Sequence, residues 1–344
     1  MSRLDDYRTA LLAAHEDVST DELVASLDAH DSKFPSFIID HGLGPLWHER
    51  TARTEFHASR MAAEALFLVQ QRALSEVGSA LEEAGIDYVA IKGAANRVQI
   101  YPNPALRACL DLDILVRTED KLPAARAITR AGYAPLPEAR NISRVIVMAG
   151  HGVDIDLHWS LLREGRLRRD LTKDMLDHRQ RVADTWVLSA EHTLFALLVH
   201  PAFAKHLEGY EMGMHRVADL LAWLRTHDVD WPEVRRMLEE TGVKTAAWAT
   251  LRWVQLLAGK HAPQQLNEML ADLRPGALKR HWLDCWLKNN WSQRLSGLQR
   301  ARLLGFSSML HDTPRDALRA YQGRRRAAQR SGEDLAELAG LLGE

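Results

Sequence analysis

The sequence predicts an α+β fold, with a small sheet-containing core set between an N-terminal and a C-terminal helical region. Three observations carry that reading. Apolar residues recur at steps of three and four before residue 84 and again after residue 190, which is helical spacing. Between these regions lie short apolar or alternating runs that read as strands. Hydrophobic residues make up 46% of the chain and charged residues 26%, a balance that supports a packed core and excludes disorder over most of the chain. The 344 residues suffice for two domains or one elaborated core. We divide them into a helical region at 1–84, a core at 85–189 and a helical domain at 190–344.

The elements follow in order. Leu23 to Leu27 and Phe34 to Ile39 predict short helices around Pro35. Ala52 to Ala84 predicts a long helix with Leu66, Val69, Ala73, Val77 and Leu81 on one face, stopped by a left-handed Gly85. Tyr88 to Ile91 reads as a buried strand, Lys92-Gly93 as a turn, and Ala94 to Ile100 as the start of a helix. Leu110 to Val116 is a second strand. A helix capped by Thr118 or Asp120 then runs to Ala131, with Pro123 tolerated in its first turn and Gly132 as its stop. Ser143 to Met148 and Val153 to Trp159 read as strands joined through Gly150-His151-Gly152. From Glu191 onward the helical pattern returns, through Leu194, Leu197 and Leu198, then Val217, Leu220, Leu221 and Leu224. It continues in Thr250 to Leu257 and Leu283 to Leu287. The ten tryptophans are assigned to helix packing rather than to stacking platforms for a ligand.

Charge and cysteine content narrow the function classes. The formal charge is −2, from 44 Lys+Arg against 46 Asp+Glu, so no global basic field draws in nucleic acid. The Arg324-Arg325-Arg326 cluster reads as a solvated turn, with RNA binding as its alternative. No apolar run is long enough to span a bilayer, and Met1 to His15, with Asp5 and Asp6, does not read as a secretory signal. Cys109 and Cys285 read as reduced thiols, so a cytoplasmic location is expected.

The chemistry is concentrated in Leu110-Asp111-Leu112-Asp113-Ile114. Residues two apart on a strand share a face, so Asp111 and Asp113 project together. Close carboxylates repel unless a cation or a shared proton lies between them. Mg²⁺ suits such a pair, since it takes hard oxygen ligands and keeps waters and phosphates. The run Val153-Asp154-Ile155-Asp156-Leu157-His158 places Asp154, Asp156 and His158 on one face. If the two strands are neighbours, a third carboxylate joins the pair, as two-ion phosphoryl transfer requires. A third Asp-x-Asp spacing, Asp228-Val229-Asp230, shows that spacing alone is a weak signal. What sharpens it is the setting in apolar strands, where Asp is depleted and unpaired charge is costly. Salt bridging to Arg107, Arg117 or Arg144 is the structural alternative. Upstream, Gly93 permits close backbone approach and the helix that follows it offers free N–H groups to an anion, with Lys92 adding charge.

At these residues the sequence resembles the nucleotidyltransferase superfamily with a DNA polymerase β-like core, and within it a bacterial family of uncharacterised nucleotidyltransferases. The resemblance rests on Ile91-Lys92-Gly93, on Arg107 to Asp113 as an Arg-x-x-x-Asp-x-Asp run, and on Asp156-Leu157-His158-Trp159. Downstream, His200, Lys205-His206 and Arg216-Val217-Ala218-Asp219 look similar as well, so the resemblance covers about Leu66 to Gly259. It implies a small mixed β-sheet and transfer of a nucleoside monophosphate from an NTP, with ATP as one candidate, to an acceptor hydroxyl. Two Mg²⁺ ions would be held by Asp111, Asp113 and Asp156. Lys92, Gly93, Ala94 and Arg107, with Lys205 and His206 from the helical region, would face the nucleotide, and His158 and Asp154 would support the ligands. The acceptor is left open among small molecule, peptide, protein and RNA. The wider superfamily has Gly-Ser or Gly-Gly where Gly93-Ala94 stands here, and the spacer from Ala94 to Asp111 is longer than usual. A noncatalytic binding module is therefore carried as the alternative. A metal phosphohydrolase built on His30-Asp31, His227-Asp228 and His311-Asp312 is the third reading.

Overall fold

The structure is a computed structural model that describes residues 3–136, 145–204, 213–291, 303–323, 325 and 326. Five helices precede the sheet: α1 (Arg3–Leu11), α2 (Thr20–Asp28), α3 (Phe34–Asp40), α4 (Gly44–Thr51) and α5 (His57–Glu83). The middle region runs β1 (Tyr88–Ile91), α6 (Lys92–Ile100), β2 (Asp111–Val116), α7 (Lys121–Arg130), β3 (Ala134–Pro135), β4 (Val145–Gly150), β5 (Val153–His158), α8 (Thr172–Asp177), β6 (Gln180–Val182) and β7 (Thr185–Val187). Helices α9 (Ala190–Ala204), α10 (His215–Thr226), α11 (Trp231–Thr241), α12 (Lys244–Ala258), α13 (Gln264–Asp272) and α14 (Ala277–Lys288) follow. The expected α+β class, a mixed sheet flanked by helices, is what the chain forms.

The seven strands lie in the order β3-β4-β5-β2-β1-β7-β6. β2 is antiparallel to β1 and parallel to β5, and β5 is antiparallel to β4. The hairpin between β4 and β5 turns through His151 and Gly152, both with positive φ, at 51° and 78°. That pair of left-handed residues matches the right-handed twist of the strands it joins. Strands β3, β6 and β7 were not expected. Each has only two or three residues, too few to show a period in the sequence.

Alternation along the central strands divides the sheet into two faces. Leu112, Ile114 and Val116 of β2 and Val153, Ile155 and Leu157 of β5 pack with Ala73, Leu74, Val77 and Leu81 of α5 and with α7. The opposite face carries Asp111, Asp113, Asp154, Asp156 and His158, and turns toward the C-terminal helices. A second core joins the N-terminal helices to the C-terminal ones, with Tyr7, Trp47 and Phe56 in the same cluster as Phe195, Trp223 and Trp253. Trp47, Trp223, Trp248, Trp253 and Trp286 are all buried, as the packing assignment expects.

Two helix stops form as expected. Gly85 (φ 69°) and Gly132 (φ 96°) follow α5 and α7 in the left-handed region. The face of α5 is only half as expected. Ala73, Val77 and Leu81 are buried, but Val69 is 44% exposed and its neighbour Gln70 is fully buried. The second half of α5 faces the sheet and α7, whereas the first half meets α4 and the Pro104–Leu106 turn, so the buried stripe shifts around the helix.

Candidate active site

The site begins with strand register. Asp111 of β2 lies opposite Asp154 of β5, and Asp113 opposite Asp156. Cross-strand partners in register share a face, so the four carboxylates stand on one side of the sheet. Burial differs sharply along that row. Asp113 is 3% exposed and His158 1%, Asp111 and Asp156 are half-buried, and Asp154 is exposed. One oxygen from each of Asp113 and Asp156 and a ring nitrogen of His158 lie within 4.8 Å of one another. Among the described residues this is the one group of three or more such side chains able to hold a metal ion.

Lys92 closes the group from the side. Ile91 at the end of β1 pairs with Asp113, which brings the next residue to the same place. The sequence predicts a turn at Lys92-Gly93, but Lys92 is the first residue of α6, with φ 54°. A side chain in the left-handed region is uncommon and costs about 1 kcal/mol or more. Here it aims the ammonium inward. Lys92 Nζ donates to Asp113 Oδ1 and lies 3.0 Å from His158 Nε2. His158 Nε2 is also 2.8 Å from Asp113 Oδ1 and 3.9 Å from Asp156 Oδ2. One ring nitrogen cannot donate to Asp113 and accept from Lys92 at once. Burial alone would raise the Asp113 carboxyl, but the Lys92 charge and the His158 hydrogen bond outweigh it and hold the group well below the usual carboxylate range. A buried carboxylate that stays ionised demands positive charge beside it.

Gly93 serves a close approach rather than an open turn. A Cβ there would stand 2.5 Å from Cys109 Sγ and 3.3 Å from Arg107 Nη1. The Cys109 thiol donates to the Asp111 carbonyl at 2.9 Å, and burial pushes that thiol up to about 11. Gln70 of α5 donates to the Cys109 carbonyl at 3.0 Å and accepts from Arg97 Nη1 at 2.6 Å. The segment entering β2 is thus held by α5 and α6 together.

Arg107 is anchored away from the β2 and β5 carboxylates. Its Nε and Nη2 donate to Asp219 of α10 at 3.0–3.1 Å. Asp219 is fully buried and also accepts from Asn96 Nδ2 at 3.0 Å and Tyr101 Oη at 2.9 Å. Four donors from α6 and the loop after it therefore converge on one carboxylate of the helical region. A cavity of about 410 Å³ lies between that anchor and the acidic strands. One wall holds Asp111, Asp113, Asp156 and His158, and the other holds Leu197, His200 and Arg216. That volume is in the range of small-ligand sites.

A family model described as uncharacterised nucleotidyltransferase matches residues 38–259. The chain belongs to this family. The matched span includes every strand of the sheet and both walls of the cavity. No curated protein matches the chain. Membership in the nucleotidyltransferase family supports a general nucleotidyl-transfer role and leaves the acceptor unnamed.

Within this family member the expected site residues separate into groups. Asp111, Asp113, Asp156, Lys92, Gly93, Arg107 and His158 all line the cavity. Asp154 is on the same face but points to solvent at the strand's start. Ala94 is fully buried and packs in the core on the far face of the sheet. Lys205 and His206 lie outside the described residues, as do Arg144 and Arg324. Of the alternative salt-bridge partners, Arg117 pairs with Asp87 and Asp177 instead. The three His-Asp pairs are dispersed in local roles. Asp31 accepts from the Lys33 amide, His227 stacks on Trp223, and Asp312 caps α12 through the amides of Lys244 and Thr245. Asn96 and Arg216 were not given roles. A lone polar residue on a helix has no spacing to betray it, although Arg216 sits three residues before Asp219.

Proposed function

We propose that this chain transfers a nucleoside monophosphate from an NTP to an acceptor hydroxyl, with Mg²⁺ and with release of pyrophosphate. The observation that supports it most is the convergence of Asp113, Asp156 and His158 donor atoms beside Asp111, on the wall of a ligand-sized cavity. The donor set fits a divalent cation. It offers anionic oxygens and one imidazole nitrogen, and a positive charge, the Lys92 ammonium, already rests on Asp113. Asp113 would be the shared ligand, since Asp111 lies two residues along its own strand and Asp156 lies directly across from it. When bound, the metal supplies charge neutralisation at the phosphates and lowers the pKa of a coordinated hydroxyl.

The remaining roles belong to the chain itself. The acceptor oxygen attacks the α-phosphorus in line, the bond from that phosphorus to the bridging oxygen breaks, and pyrophosphate leaves with the electron pair. The half-buried Asp156 carboxylate would take the acceptor proton. Lys92, the first residue of α6, brings its charge to the acidic cluster. Gln70 and Asp219 fix the two approaches to the cavity, so that positioning rather than covalent chemistry supplies the rate.

The decisive experiment incubates the chain with each labelled NTP, Mg²⁺ and a cell extract, and follows label transfer and pyrophosphate. Transfer by the unchanged chain and its loss in Asp111→Asn and Asp156→Asn is the expected result. Undiminished transfer by both variants would refute the assignment. A noncatalytic binding module is the second reading. It is favoured by Gly93-Ala94 at the start of α6, which has no hydroxyl and whose Gly93 is closed against Cys109. Stabilisation by Mg²⁺ and NTP together without any transfer would select it.

A further inference from the structure

The cavity contains three strong cations, Lys92, Arg107 and Arg216. Two are engaged. Lys92 donates to Asp113, and Arg107 is clamped by Asp219. The Arg216 guanidinium has no hydrogen-bond or ion-pair partner among the described residues. It is half-buried nonetheless. A guanidinium cannot shed its charge, so withdrawing it from water without an acceptor is costly.

Its placement is not accidental. Residues three apart on a helix lie on one face. Asp219 is pinned to α6 and the loop after it, so Arg216, one turn nearer the start of α10, is fixed over the same cavity. Gly213 makes room for it, since a Cβ there would meet Arg216 Nη1 at 2.6 Å. The opposite wall is acidic, and Ala94, where the wider superfamily has serine or glycine, is buried and does not line the cavity.

We propose that Arg216 is the phosphate-binding arm of the site and grips the β- and γ-phosphates of the NTP from the helical wall. This rests on the nucleotidyl-transfer reading and supplies a phosphate contact that Gly93-Ala94 at the start of α6, with no hydroxyl, does not. The planar fork of Arg matches two phosphate oxygens at once, which a lysine does not do. A phosphate carried by the acceptor is the other source of the same chemistry.

The test is calorimetric titration of the full chain and of Arg216→Ala and Arg216→Lys. The probes are ATP, inorganic tripolyphosphate and AMP, each with Mg²⁺. Arg216→Ala should weaken ATP and tripolyphosphate by about 10- to 100-fold and leave AMP within about twofold. Arg216→Lys should fall between, since it keeps the charge and loses the fork. The unliganded variants should still unfold cooperatively, since among the described residues the guanidinium has no hydrogen-bond or ion-pair partner to lose. Unchanged tripolyphosphate binding by Arg216→Ala overturns the proposal. A loss confined to AMP also overturns it, in favour of a phosphorylated acceptor. If the parent chain binds neither ATP nor tripolyphosphate, the nucleotidyl-transfer reading fails, and Arg216 fails with it. A parent that binds and a variant that binds equally well sinks Arg216 alone.

Discussion

Asp113 cannot be altered without disturbing Lys92. Its carboxylate is buried and the partner lysine side chain is only 21% exposed, so removing one strands the other. Asp113→Ala should therefore cost about 1–3 kcal/mol of stability as well as activity. Asp111 is half-buried at the start of its strand, and Asp111→Asn should lose transfer with a much smaller change in a urea denaturation midpoint. The two measurements together separate chemistry from folding. His311 gives a second residue-scale expectation. It is 2% exposed with no hydrogen bond to either ring nitrogen among the described residues, and burial lowers its pKa from 6.5 to about 3. The unfolded chain binds a proton near pH 6.5 and the folded chain only near pH 3, so stability should fall as pH drops through that window. Near pH 5 the loss from this one side chain is about 2 kcal/mol. His311→Phe should flatten the decline in unfolding midpoint between pH 7 and 5, and an unchanged slope would refute the assignment. The carboxylates were legible in the sequence because acidic residues in an apolar strand contradict its composition. Asn96 and Gln70 were not, since their partners are distant in the chain, and Arg216 stood out only within the Arg216-to-Asp219 resemblance, with no role attached to it.

Elements were legible where one backbone residue dictates the outcome. Gly85 and Gly132 stop their helices, and the His151-Gly152 turn sets the register of β4 against β5. Lys92 shows where that logic fails. A lysine carries no signature of the left-handed region, so the junction of β1 and α6 reads as an ordinary turn. Its φ of 54° has a measurable consequence. Helix propensity ranks alanine above glycine, but at this position Lys92→Gly should be more stable than Lys92→Ala by about 1 kcal/mol. Both variants lose the ammonium, so their difference in chemical denaturation reports the backbone alone. The opposite ranking would mean that the strain is not present. The displaced stripe of α5 has a different cause. Periodicity identifies a helix but not its neighbours, and α5 changes neighbours halfway along.

Across the whole molecule, the arrangement turns on a single fully buried carboxylate. Asp219 belongs to the C-terminal helices, and Arg107 precedes the central strand 112 residues earlier. Their pairing fixes the distance between the cavity's two walls. Asp219→Ala should destabilise the chain by about 3–5 kcal/mol, because it leaves the Arg107 guanidinium buried and unpaired. Replacing both residues with apolar ones of similar volume should recover part of that loss, as a double-mutant cycle in urea would show. The fold class was legible from the alternation of helical and strand textures. The merging of the two terminal helical regions into one core was not, since nothing local in a sequence tells which distant amphipathic faces will meet.

The sulfur wedged against Gly93 has a practical corollary. Cys109 is buried, and its thiol titrates near 11, so at neutral pH almost none of it is the reactive thiolate. Cys285 is only half-buried, so a disulfide reagent should modify it first. The later labelling of Cys109 then becomes an intrinsic clock, ticking each time the segment that delivers the acidic strand breathes away from its helix.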